Sequence, residues 1–228
     1  MESVMNLLKL KAFVFDFDGT LAVLNIDFSL MRDRVLELID RFGVERESVK
    51  ERYLLEVIDE VRAMILERST PDAQQFYREA HQTLHQIEMK AAEKGKLLRG
   101  VKKTLRAVRT KGIRLGIVSR NCEEAVRKVF PGIDGFCDIF ISRDSIARVK
   151  PHPEHLAAVL RALEVPARKA VMIGDHIIDI QAGRRAGMKT IGVLTGRTTR
   201  KEFEEAGADY VSRGVWEIPL LLEKFCKT

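Results

Sequence analysis

The chain has 228 residues, of which 46% are hydrophobic and 32% charged, and it carries a formal net charge of +6. That is enough apolar material for a soluble globular protein, either one domain with a sizeable insertion or two small domains. No stretch approaches the roughly 18 uninterrupted apolar residues of a membrane span, the opening MESVMNLLKLKAFVFDFDG lacks a small-residue cleavage site, and the basic residues are interleaved with acids rather than gathered in a block. A cytoplasmic location without a membrane partner is expected, and nucleic acid is disfavoured as a partner.

The first predicted element is a strand, AFVFDFDG from Ala12, and it ends on two carboxylates, Asp16 and Asp18. Two like charges ~4 Å apart repel by roughly 4 kcal/mol even at an effective dielectric near 20. Something cationic must join them, or they must lie at a polar edge.

From residue 22 to about 97 the pattern is helical, with no convincing strand. Apolar stripes run through Phe28, Met31, Val35, Leu38 and Phe42, then Leu54, Ile58, Val61 and Ile65, then Phe76, Ala80, Leu84 and Ile87. Gly43, the Ser69-Thr70-Pro71 break and Gly95 punctuate them. His81 and His85 share a helix face at a zinc-compatible spacing, but no third ligand suggests itself and a polar face is the better reading.

Beyond residue 98 short apolar runs alternate with helical patterns. VKKTLRAVRTKG from Val101 is helical up to a stop at Gly112, and IRLGIVS from Ile113 is a strand. A helix follows in NCEEAVRKVF, which Ser119 is placed to cap. FCDIFIS from Phe136 is the next strand, and PEHLAAVLRALEV opens a helix at Pro153, flanked by His152 and His155, which read as loop and surface. AVMIGD from Ala170, KTIGVLTG from Lys189 and DYVS from Asp209 complete the strands. Cys122, Cys137 and Cys226 are odd in number and widely spaced, which reads as ordinary thiols. The predicted fold class is α/β, a doubly wound, Rossmann-like parallel sheet formed by residues 1–21 and 98–228, with an all-helical domain inserted at 22–97.

In such a sheet, ligands bind beyond the carboxyl ends of the strands. The first strand runs into Asp16 and Asp18, the second into Ser119, Arg120 and Asn121, and the fourth into Asp175 and then Asp179; Lys150 follows the third strand. Carboxylates, a hydroxyl and an ammonium would converge on one crevice. Oxygen-only ligands suit magnesium, which would neutralise the acids together with an incoming phosphate, and a carboxylate can act as a nucleophile that forms an acyl phosphate.

DFDGT, VSRN, RVKPHP and GDHIIDI, in this order with helices between them, resemble the motifs of the haloacid dehalogenase-like hydrolase superfamily, within its phosphatase branch. The tail from IGVLTGRTTR to DYVSRGVWEIPLLL is similar to the ends of phosphoglycolate phosphatase-like members. The resemblance implies Asp16 as nucleophile and magnesium ligand. It implies Asp18 as the acid for the leaving alcohol and the base for water, with its backbone carbonyl on the metal. Ser119 would bind phosphate, with Gly19 allowing a close backbone approach and Arg120 and Asn121 as neighbouring candidates. Lys150 would stabilise charge on the nucleophile and the transferred group. Asp175 would be a direct metal ligand, while Thr20 fixes the loop and Asp179 orients the metal or Lys150 from behind. Asp18 also disfavours a dehalogenase, because a halide leaving group needs no proton.

Arg120 stands where many members of that family place a small or amide residue, and His176 where Ser or Thr is often found; Arg120 would add a second cation near phosphate or point to solvent, the latter being favoured. The helical insertion resembles the caps that close over this active site. The implied function is magnesium-dependent hydrolysis of a small phosphomonoester, phosphoglycolate-like compounds first, by a monomer or homodimer. A phosphomutase and a phospho-accepting signalling module are the rivals.

Overall fold

The computed structural model describes residues 10–226, with side chains through residue 222. Residues 1–9, part of the opening stretch read for a cleavage site, and the Cys226 side chain lie outside that part. The chain forms two compact units, residues 25–94 and the rest. Among the described residues no helix is long and apolar enough to cross a membrane.

The larger unit is built on a six-stranded sheet from β1 (Ala12–Asp16), β4 (Arg114–Val118), β5 (Ile139–Ile141), β6 (Ala170–Gly174), β7 (Lys189–Val193) and β8 (Tyr210–Ser212). Its order is β5-β4-β1-β6-β7-β8, with every neighbour parallel. From β1 the chain moves outward to β4 and β5, then crosses back to β6 and proceeds to the other edge. The order therefore reverses at β1, and the crevice at its carboxyl end is the switch point where such sheets bind ligands.

Period-two alternation explains why β1 is buried throughout. Ala12 and Val14 join a cluster with Val118, Met172 and the apolar stripe of α6 (Pro153–Ala162), while Phe13 and Phe15 stand on the opposite face, edge to face at 6.3 Å. Both faces must be covered, and the connecting helices do this: α4 (Val101–Arg109), α5 (Glu123–Val129), α6, α7 (Ile177–Arg185) and α8 (Arg200–Glu205), with α9 (Ile218–Cys226) packing on α4. Each fully buried large side chain contributes roughly 1.5–3 kcal/mol. Phe203 of α8, with Ile180 and Val211, forms a separate cluster under the β8 edge.

The second unit holds α1 (Phe28–Arg41), α2 (Leu54–Leu66) and α3 (Thr70–Ala92). Their stripes interdigitate through Met31, Val35, Ile39, Ile58, Val61, Ile65, Phe76 and Ala80, all buried. Asp27 caps α1 by accepting from the Leu30 N–H at 2.9 Å, and Ser69 caps α3 by accepting from the Asp72 N–H at 3.3 Å. Phe42 closes the end of α1 against Phe76, the rings 5.5 Å apart and near perpendicular. Phe28 departs from its predicted stripe: at the first helical position it precedes the interhelical contact and is 59% exposed.

Two further differences concern the joints between the units. Where no strand was expected, β2 (Ala22–Val23) and β3 (Lys96–Leu97) pair antiparallel, too short to leave an alternating signature. Because they pair with each other, the units divide at 24/25 and 94/95, three residues inside the expected boundaries on either side.

Candidate active site

The register of the sheet brings the acids together. Val118 lies opposite Asp16 on one side of β1, so Ser119 is the first residue beyond the strand there. Ile173 lies opposite Phe15 on the other side, which puts Gly174 level with Asp16 and Asp175 one step past it. One carboxylate oxygen from each of Asp16, Asp175 and Asp179 falls within 4.8 Å of the others.

Lys150 is 1% exposed, and its Nζ donates to Asp16 Oδ1 and to Asp179 Oδ1, each at 2.5 Å. Burial alone would lower its pKa, but the charges of Asp16 and Asp179 outweigh that and hold it above the ordinary lysine value. Burial raises the Asp16 carboxyl well above the carboxylate range; the Lys150 charge opposes the rise and that of Asp179 adds to it. Asp175 is raised too, by burial first and then by Asp16 and Asp179. Three carboxylates against one ammonium leave an excess of two negative charges when all are ionised, and an all-oxygen donor set with that excess fits one hard divalent cation. Asp16 and Asp175 are placed to hold it, since Asp179 has both oxygens engaged, Oδ2 accepting from the His176 N–H at 3.1 Å.

Local chemistry fixes each carboxylate. After β1 the chain folds into a tight loop in which the N–H groups of Leu21 and Ala22 both donate to the Phe17 carbonyl, at 2.8 and 2.9 Å. Gly19 sits in that loop at φ +83°, and a Cβ there would collide with the Asp175 carboxylate. Thr20, fully buried, donates from Oγ1 to Asp175 Oδ1 at 3.1 Å. Asp18 Oδ1 accepts from the Leu24 N–H at 2.9 Å, which holds the second acid at the mouth of the loop. Asp179 belongs to the capping box of α7, with His176 as the N-cap that accepts from the Ile178 N–H at 3.2 Å.

The residues after β4 are held differently. Ser119 is not a helix cap: Cys122 occupies the N-cap of α5, and Ser119 Oγ accepts instead from the Asn121 N–H at 3.1 Å. Asn121 is buried, and its Nδ2 has no acceptor within the described protein. Arg120 is half-buried rather than solvent-facing, its guanidinium donating to the Lys150 carbonyl. Neither Ser119 nor Asn121 hydrogen-bonds the acids among the described residues.

Sequence reasoning assigned no role to Thr195 and Gly196, just past β7. Thr195 Oγ1 donates to the Gly19 carbonyl at 2.5 Å, and a Cβ on Gly196 would overlap the Asp175 carboxylate. The strand-end logic that found Asp16 applies equally here, and LTG after β7 was the available signal. We predict that Gly196→Ala displaces Asp175, lowering stability by about 1–3 kcal/mol in urea unfolding and weakening divalent-ion binding. An alanine variant with unaltered ion affinity would separate Gly196 from the site.

His155 is also misplaced by the sequence reading. It is fully buried, not a surface residue, with Nε2 3.1 Å from the Ile141 carbonyl and Nδ1 3.4 Å from the Lys150 backbone nitrogen. Burial first, then the Lys150 charge, lowers its pKa to about 3. The unfolded chain titrates this histidine near pH 6.5, so it binds the extra proton between pH 6.5 and 3. Stability is then full above pH 6.5 and falls as the pH drops, by up to about 1.4 kcal/mol per pH unit from this group. In His155→Asn that increment disappears from the pH dependence of urea unfolding; an identical slope would contradict the neutral buried ring.

Comparison with known proteins follows the same lines. A family model described as haloacid dehalogenase-like hydrolase matches residues 13–193. The pyrophosphatase PpaX of Bacillus mycoides is 27% identical over 212 residues, covering 90% of this chain and 93% of that protein. The phosphoglycolate phosphatase of Aquifex aeolicus is 29% identical over 189 residues, covering 82% and 86%. Among solved structures, CbbY from Rhodobacter sphaeroides in complex with phosphate is similar at a TM-score of 0.62 with 27% identity, covering 92% of this chain and 96% of that one.

Proposed function

The chain belongs to the haloacid dehalogenase-like hydrolase family, and from that premise we propose that it is a magnesium-dependent phosphatase that cleaves a small phosphorylated metabolite through an aspartyl phosphate on Asp16. The observation that carries this reading is the position of Asp16 at the switch point of the sheet, joined to Lys150 and crowded by Asp175 and Asp179.

Asp16, Asp175 and the Asp18 carbonyl would hold magnesium, which would supply positive charge beside the nucleophile. The carboxylate of Asp16 attacks phosphorus, and the bond from phosphorus to the leaving oxygen breaks. Asp18 gives that oxygen its proton, so the leaving group departs neutral at this atom. Water then attacks the phosphorus of the acyl phosphate while Asp18 takes a proton from it, and the Asp16–phosphorus bond breaks to release phosphate. Throughout, Lys150 balances charge on Asp16, held by Asp179 so that its long stem does not need to be ordered at each turnover. Ser119, Arg120, Asn121 and the backbone at Gly19 form the side that receives the phosphate oxygens. The unpaired Asn121 Nδ2 supports this, because a buried donor without an acceptor costs about 1–3 kcal/mol that a phosphate oxygen would offset.

By resemblance to the helical insertions of this family, residues 25–94 are proposed to govern the choice of leaving group. Pyrophosphate and phosphoglycolate come first in the substrate panel because two relatives are named for them. Phosphate release from that panel and from sugar phosphates, with and without magnesium, tests the proposal. Release that depends on magnesium and stops with EDTA is expected. Isomerised sugar phosphate without free phosphate would replace hydrolysis with a mutase reaction.

A further inference from the structure

We infer that His155 is a positioning residue for Lys150, acting through the backbone of the lysine rather than its side chain; this rests on the proposed role of Lys150. The aliphatic stem of lysine has four rotatable bonds, so a fixed Nζ requires a fixed Cα. The Lys150 peptide is gripped at both polar atoms. Its N–H donates to His155 Nδ1 at 3.4 Å, and its carbonyl accepts from the Arg120 guanidinium.

The other edge of the same imidazole reaches a second motif. Nε2 lies 3.1 Å from the Ile141 carbonyl, which also accepts the Ser119 N–H at 3.1 Å. One ring therefore ties the loop carrying Lys150 to the strand end that holds Ser119. The backbone N–H can only donate and the carbonyl can only accept, so a single neutral tautomer, protonated at Nε2, satisfies both contacts. An apolar side chain of similar volume would fill the space but satisfy neither. His155 lies at the start of α6, whose stripe through Leu156, Val159 and Leu160 is anchored in the core below the sheet. The helix thereby provides a rigid support for the ring.

The test uses the full chain with magnesium and p-nitrophenyl phosphate, measuring kcat and KM separately for His155→Leu, His155→Asn and His155→Gln. A misplaced Lys150 lowers kcat roughly 10- to 100-fold in His155→Leu with KM changed less than about threefold. His155→Asn, which restores an acceptor where Nδ1 stood, recovers kcat to within about threefold of the parent. His155→Gln, whose amide reaches the Nε2 position and leaves the Lys150 N–H without an acceptor, does not. A folded His155→Leu with parental kcat overturns the inference, as does a loss confined to KM. If His155→Leu does not fold, equal kcat in the Asn and Gln variants overturns it. Lys150→Met separates the two levels: full activity in that variant rejects the role of Lys150 together with this inference, whereas an inactive Lys150→Met beside a fully active His155→Leu rejects the inference alone.

Discussion

With Asp16 as the proposed nucleophile, Asp16→Asn lowers turnover by at least about 10⁴-fold while leaving the chain folded, because the amide keeps the shape of the carboxylate and loses the attacking oxygen. The structure gives a reason for the second half of that expectation. Asp16 is a buried carboxylate whose ionisation is opposed by desolvation and by Asp179. Removing its charge relieves that opposition, and Lys150 still has Asp179 as a partner at 2.5 Å. Metal-free stability in urea should stay within about 1 kcal/mol of the parent, a small change for a buried site. A variant that turns over like the parent would remove Asp16 from the chemistry.

Lys150→Met acts in the opposite way on stability. It leaves Asp16 and Asp179 buried without a cation, and breaking a buried pair by deleting one partner costs about 3–5 kcal/mol. On the proposed mechanism turnover falls as well, by roughly 10²- to 10³-fold, because the cation that would balance the nucleophile and the transferred group is lost. Magnesium recovers part of the stability and none of the turnover, since it can neutralise the acids but cannot replace the ammonium at its own position. Urea unfolding with magnesium and with EDTA, beside steady-state kinetics, checks both. Unchanged stability would mean that the lysine does not compensate the acids.

The sheet was legible because β1, β4 and β6 are continuous apolar runs that end on small or polar residues, and helices with three- and four-residue spacing separate them. Strand ends in a parallel sheet share an edge, so Asp16 and Asp175 could be placed near one another before any coordinates. The pairing of β2 with β3 could not be seen, since two residues carry no period. The destination of the Arg120 side chain depends on a loop 30 residues further along the chain, to which nothing in its own neighbourhood points. His155 was misread for a local reason: Pro153 and His152 suggested a solvent-exposed helix start, although His155 stands one turn before Val159 on the buried face. Ser119 shows a similar limit, because its position before a helix suggests a cap while its hydroxyl is already used by Asn121.

The most direct measurement is acid-quenched peptide mass analysis of the parent and of Asp18→Asn during turnover of a phosphorylated substrate with magnesium. With p-nitrophenyl phosphate, whose leaving group departs without acid help, the account predicts one phosphoryl group on the peptide that contains Asp16, accumulating in Asp18→Asn, where the base for water is missing, and absent from Asp16→Asn. Phosphate released by Asp18→Asn with no labelled Asp16, or with the label on another residue, would contradict it.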